Sequence, residues 1–145
     1  RFACLGEPTA DQRRFFDLAK ESEQAAIDIV APGVSLGSLY QSSQKVIREA
    51  GYGDFVDWCQ KMSWSSIGHN VGLDVHEMPG VSIDNETVLE LNMVLAIEPF
   101  FWHDGKYPLW EVSNKYGCED LVLVTESGYE ILTPESIISR DIWVA

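Results

Sequence analysis

Two rhythms of apolar and polar residues divide the chain. From Ala10 to about Val30 the apolar positions recur at helical spacing. Phe15, Leu18, Ala19, Ala25, Ala26 and Ile29 fall on one stripe, and Arg13, Lys20 and Glu21 lie outside it. Thr9-Ala10-Asp11-Gln12 has the form of a capping box, with Thr9 as N-cap and Gln12 reaching back. Pro32-Gly33 stops this helix. Ser35 then caps a second, from Leu36 to Ala50, with Leu39, Val46 and Ile47 on its apolar side and Gly51 placed for a left-handed C-terminal cap. Residues 1–5 read as the end of a strand that Gly6-Glu7-Pro8 breaks.

After Gly53 the pattern turns extended. Residues 54–66 fit neither period, although two Trp and a Phe imply partial burial. His69 to Pro79 is punctuated by glycine and is expected to be a loop between strands. Val81 to Leu91 is polar and is expected to be another. Met93 to Trp102 is a strong strand, His103-Asp104-Gly105 a turn, and Lys106 to Val112 a hairpin partner. Glu119 to Thr125 is a second strong strand. Glu126-Ser127-Gly128 turns it into a short one, Tyr129 to Leu132, which Thr133-Pro134 ends. Helices first and strands afterwards predict an α+β domain, two helices covering an antiparallel sheet.

Composition narrows the function classes. With 145 residues the chain is expected to be one domain with a real core, and its 46% hydrophobic content is that of a globular protein. No apolar run is long enough to cross a bilayer. A net charge of −13 argues against a nucleic-acid partner, because phosphates would be repelled. The three cysteines, Cys4, Cys59 and Cys118, are odd in number and show no CxxC spacing, which favours reduced thiols and a cytoplasmic setting. Cys118 stands beside Glu119, but a small buried residue is the better reading of it. The chain opens on Arg1-Phe2 without Met and is expected to be a piece of a longer protein.

The candidate chemistry lies in the second half. Gly68-His69-Asn70-Val71-Gly72-Leu73-Asp74-Val75-His76-Glu77 sets two histidines among glycines. Strand alternation puts Val94, Ala96 and Glu98 on one face, and Glu119 shares a face with Leu121 and Leu123. A carboxylate on an apolar strand must find a partner, lie at an open end or bind a cation, and Pro99 favours a strand end for Glu98. An ordinary ion pair satisfies the same demand. Imidazole with carboxylates suits Mn, Fe, Co or Zn, yet three ligands are few for a two-metal site. His69 and His76, seven residues apart, share a face on a helix but not on a straight strand, and Gly72 leaves the choice open. His103 falls in the turn.

Three ordered blocks carry a resemblance. Gly68 to Pro79, then Ala96-Ile97-Glu98-Pro99, then Glu119-Asp120-Leu121-Val122-Leu123-Val124-Thr125 resemble the methionine aminopeptidase, prolidase and creatinase superfamily of metallopeptidases, closest in style to its Xaa-Pro peptidases. Gly6-Glu7-Pro8 and the two helices around Pro32-Gly33-Val34 look similar as well, so the likeness covers nearly the whole chain.

The resemblance implies the pita-bread fold and a hydrolase acting on the N-terminal or Xaa-Pro bond of a small peptide. It implies His69, Glu98 and Glu119 as ligands of two divalent ions (Mn, Co, Fe or Zn). Glu98 and Glu119 would also help to activate a bridging water, which gives Glu98 a catalytic role too. His76 would contact the substrate and stabilise the tetrahedral intermediate. A homodimer is expected, with neither membrane nor nucleic acid as partner. The family takes two further ligands from aspartates upstream of the segment that Arg1-Phe2 resembles. Residues 1–145 are therefore expected to be the C-terminal portion of one catalytic domain, inactive alone and partnered by the N-terminal portion.

Two departures bear on specificity. Ser65 stands near the place of an additional His, and Gly117 stands where an Arg often precedes the last Glu by two residues. A creatinase-like or lyase activity on a small non-peptide substrate is one alternative, and a metal-free module of the same fold that binds peptide or protein is another.

Overall fold

The computed structural model describes residues 2–62, 65–102, 115–135 and 141–144. Strand β1 (Phe2–Leu5) leads into helix α1 (Ala10–Ile27). The capping box forms as the sequence predicts: the Gln12 amide donates to Thr9 Oγ1 at 3.2 Å, and the Thr9 amide to Gln12 Oε1 at 2.8 Å. The helix buries Phe15, Leu18, Ala19 and Ala26 from the expected stripe, and adds Phe16 and Ile27. It ends at Ile27 rather than Val30, which leaves Ile29 exposed. Helix α2 (Leu36–Ile47) starts on Ser35, whose hydroxyl accepts from the Ser38 amide at 3.2 Å. Its expected last turn, through Ala50, is a wider π-type turn over Arg48–Tyr52. Gly51 there takes φ 93°, the left-handed conformation that glycine adopts without a Cβ penalty.

The ambiguous stretch resolves into helix α3 (Gly53–Lys61), which buries Phe55, Val56 and Cys59. Its hydrophobic face is set by tertiary contact and is too short to stand out as a period.

Among the described residues, five strands form the main sheet: β2 (Ser66–Asn70), β3 (Glu77–Ser82), β4 (Val94–Ile97), β7 (Asp120–Thr125) and β8 (Gly128–Ile131). Their order is β3-β2-β4-β7-β8, antiparallel throughout. Two expectations are corrected here. The segment from His69 to Pro79 is not all loop, since His69 lies inside β2 and Pro79 inside β3. The strand expected from Met93 to Trp102 is broken at Glu98-Pro99. Its second part, β5 (Phe100–Trp102), leaves the main sheet and pairs with β6 (Lys115–Gly117). The turn and return strand expected over 103–112, with His103, lie outside the described residues. Strand β9 (Asp141–Val144) pairs in parallel with β1.

The helices cover one face of the main sheet. Ala26, Ile27, Leu36, Leu39 and Tyr40 pack against Ile67, Leu95, Ile97, Val122 and Val124. A second cluster joins the start of α1 to α3 and the β5–β6 pair through Phe15, Phe16, Phe55, Phe101 and Tyr116. The helices pack closely enough for the Ser22 and Ser43 hydroxyls to meet at 2.7 Å. Among the described residues no helix is long and apolar enough to cross a membrane.

Candidate metal centre

The sheet face away from the helices carries the candidate residues, and register puts them there. Leu95 and Ile97 of β4 point to the helices, so Val94, Ala96 and Glu98 belong to the opposite face. Ala96 stands between His69 of β2 and Leu121 of β7. The last ladder pair of β4 and β7 is Ile97–Asp120. One step beyond it brings Glu98 alongside Glu119, just outside the ends of the two strands. Residues paired across antiparallel strands share a face. His69, Glu98 and Glu119, far apart along the chain, thus occupy two adjoining rows of one sheet surface.

Local sequence makes this approach possible. Glu98 keeps strand-like bonding, its amide donating to the Ile67 carbonyl at 2.7 Å, while Pro99 ends β4. At Gly68 a Cβ would collide with the carbonyl oxygen of Ala96, so β2 can lie this near β4 only with glycine beside His69. The β2–β3 connection then folds back over the site. The Glu77 carboxylate accepts from the Asp74 amide at 3.0 Å and lies where a Cβ on Gly72 would be, 2.5–2.7 Å from its atoms. That tight turn carries His76 to His69, with ring centroids 4.4 Å apart and planes at 62°. The loop also leaves Leu73, Val75 and Met78 exposed.

His69, His76 and Glu98 each offer a ligand atom, and these atoms lie within 4.8 Å of one another. Ligands held at 2.0–2.2 Å around one ion are separated by about 3–4 Å, so small side-chain shifts would suffice for this group to grip a cation. His69 Nδ1 lies 3.0 Å from the carbonyl oxygen of Asn70, an acceptor, so this nitrogen carries the proton. Nε2 then faces Glu98 Oε1 at 3.2 Å. That second contact is attractive only with another proton between the two atoms, a place a metal ion can take. A histidine oriented by a backbone carbonyl on its far nitrogen is the usual arrangement for a metal ligand. Burial first, and the neighbouring Glu119 second, push the Glu98 carboxyl above its ordinary range; His69, Lys115 and His76 oppose this more weakly. A half-buried carboxylate with a second one beside it is stabilised by a cation, so the donor set fits a divalent metal.

The sequence-predicted residues separate by setting. His69 and Glu98 are half-buried and in contact, whereas His76 is exposed and joins them from the loop. Glu119 is exposed, just ahead of β7 rather than within it, and acts on Glu98 through its charge without belonging to the tight group. Cys118 is buried in the second core cluster, away from any role as a surface thiol. Sequence reasoning did not single out Glu77 or Lys115. Glu77 lies inside the Gly68–Pro79 block, but Lys115 has no local signal, since it is the β5–β6 pairing that brings its charge near Glu98.

The family model for metallopeptidase family M24 matches residues 1–126. A Xaa-Pro dipeptidase of Pyrococcus furiosus is 35% identical over 136 residues, covering 92% of this chain and 34% of that protein. An uncharacterised peptidase of Staphylococcus haemolyticus is 37% identical over 135 residues, again covering 92% of this chain and 34% of the relative. Among solved structures, an X-Pro aminopeptidase from Thermotoga maritima superposes with a TM-score of 0.79 at 30% identity, over 99% of this chain and 36% of that one. The chain thus spans about a third of the length of the curated relatives it matches.

Proposed function

The chain belongs to metallopeptidase family M24 and has its pita-bread fold, and from that membership we propose that it is the C-terminal portion of the catalytic domain of a metal-dependent Xaa-Pro peptidase. The observation that carries the reading is the meeting of His69 with Glu98, beside Glu119 and His76, on the open face of the sheet.

In this reading His69, Glu98 and Glu119 hold part of a two-ion site for Mn, Co, Fe or Zn, and the N-terminal portion of the protein supplies the remaining ligands. Two divalent ions there supply a water acidic enough to attack at neutral pH and a polarised scissile carbonyl. The rest falls to the side chains. Glu98 accepts a proton from the attacking water and passes it to the departing amine. His76, on its exposed turn, donates a hydrogen bond to the carbonyl oxygen as charge gathers there. The Asn70 carbonyl keeps His69 in the tautomer that frees Nε2. We expect a cytoplasmic homodimer acting on short peptides.

The test is hydrolysis of a panel of X-Pro dipeptides by the full-length protein, before and after chelation and with each metal restored, beside metal analysis of His69→Ala. Expected are cleavage that chelation abolishes and an ion content well below wild type in the variant. Full metal content in His69→Ala, or turnover indifferent to chelator, would overturn the reading. Activity confined to non-peptide amides would transfer it to a creatinase-like enzyme.

A further inference from the structure

The connection between β2 and β3 carries a residue that the mechanism uses, yet it has little apolar anchorage. Asn70 and Glu77 are paired across the two strands, and residues 71–76 join them. Gly72, Leu73, Asp74, Val75 and His76 are all exposed. Leu73 and Val75, the large apolar side chains among them, bury nothing substantial. A segment with so little buried surface is not held by packing and needs another constraint to keep one shape.

The constraint is a side chain that folds back. The Glu77 carboxylate accepts from the Asp74 amide at 3.0 Å, and the Gly72 amide donates to the Asp74 carbonyl at 3.3 Å. A backbone N–H bonded to a carboxylate is stronger than a neutral pair. The bond from 74 to 77 closes a ring of chain around Val75 and His76. Glycine at 72 makes room for it: a Cβ there would fall 2.5–2.7 Å from the carboxylate atoms. Glu77 is itself fixed through its pairing with Asn70, the residue whose carbonyl orients His69. The result is a defined place for His76, with its ring centroid 4.4 Å from that of His69.

We propose that Glu77 is a positioning residue: its carboxylate, seated over Gly72 and bonded to the Asp74 amide, holds the turn in the shape that sets His76 beside the metal centre. The inference rests on the peptidase reading above, in which His76 donates to the carbonyl oxygen. Glu77 stands outside the group formed by His69, His76 and Glu98, and it acts through His76. A donor counts only within hydrogen-bonding distance of the developing oxyanion, and a misplacement of about 1 Å can cost about a hundredfold in rate.

The experiment measures kcat, KM, metal content and melting temperature on an X-Pro dipeptide substrate, using full-length, metal-loaded protein. Glu77→Ala should lower kcat by about tenfold to a hundredfold, with KM, bound metal and melting temperature near wild type. Gly72→Ala should do the same, because its methyl displaces the end of a flexible side chain at little cost to the fold. Glu77→Gln, which keeps an acceptor oxygen in place, should recover most of the rate. In a His76→Ala background Glu77→Ala should cost nothing further, a non-additivity that a merely structural residue would not show. An unchanged kcat in Glu77→Ala, or a second full loss on top of His76→Ala, overturns the inference. So does a lost ion or a fallen melting temperature, which would make Glu77 a ligand or a support of the fold. If wild type cleaves no X-Pro dipeptide, the peptidase reading fails by itself, and NMR of the zinc-loaded, histidine-labelled protein decides the rest. A His69–His76 ring contact present in wild type and Glu77→Gln but lost in Glu77→Ala supports the positioning role. A contact that survives in Glu77→Ala, or is absent from wild type, overturns it.

Discussion

At the scale of single residues, the site is a problem in placing protons and cations. Glu98 is drawn in two directions: burial and Glu119 favour its neutral form, while His69, His76 and Lys115 favour the charged one. Its contact with His69 Nε2 uses the point at which a cation would sit. His76 differs from both because it stands on an exposed turn. Replacing His76 with Ala should therefore leave bound metal near the wild-type level and lower kcat by about 100-fold or more, the effect of losing a donor to the developing oxyanion. Metal analysis and steady-state kinetics on the same sample check both halves. A lost ion would make His76 a ligand, and an unchanged rate would deny it a catalytic part.

At the scale of elements, close strand approach decides which residues meet. The β2–β4 contact needs glycine at 68, because the Ala96 carbonyl is backbone and cannot turn aside. Gly68→Ala should cost about 1–3 kcal/mol, the usual range for forcing a methyl into packed structure, and should weaken metal binding by moving His69. Denaturant melts and metal titration read the two effects separately; a wild-type melt would show that β2 has room to give. The same elements show what could be read from the chain. Thr9 with Gln12 and Ser35 with Ser38 begin their helices as the local pattern predicts, because a cap is satisfied within one turn. Strand β2, by contrast, is short, carries a glycine and shifts register against β3, so no alternation announced it. Helix α3 was hidden for a similar reason: nine residues hold too few turns for a period to emerge.

At the scale of the whole molecule, two core clusters tie the site to its support. The larger one fixes the helices on the back of the sheet, and the other anchors α3 and the β5–β6 pair behind Lys115. Cys59 reports on this second cluster. Burial pushes its thiol up to about 12 from the usual value near 9. A thiol held neutral in the folded state ionises first in the unfolded one. Its contribution to stability is thus complete below the ordinary thiol range and is lost as pH climbs from there toward 12. At pH 8–9 Cys59 should resist iodoacetamide until the cluster opens, and denaturant should release it, as peptide mapping of the alkylated protein will reveal. Rapid labelling of the native protein would mean that α3 is detached from the cluster.

Residue order alone settled the features that close over short distances: the capped helices, the strands with a clear apolar run, the α+β class, and the motif blocks from which the family was recognised. Such features rest on bonds and side-chain contacts within a few residues, so they are written locally. Only the tertiary structure decided that one register step sets Glu98 beside Glu119, and that the β5–β6 pair brings the charge of Lys115 to bear on Glu98. Those facts depend on how strands pair across long stretches of chain. Pairing is fixed by the packing of buried faces and by a glycine that lets two backbones touch, and a linear pattern of polar and apolar residues does not contain it.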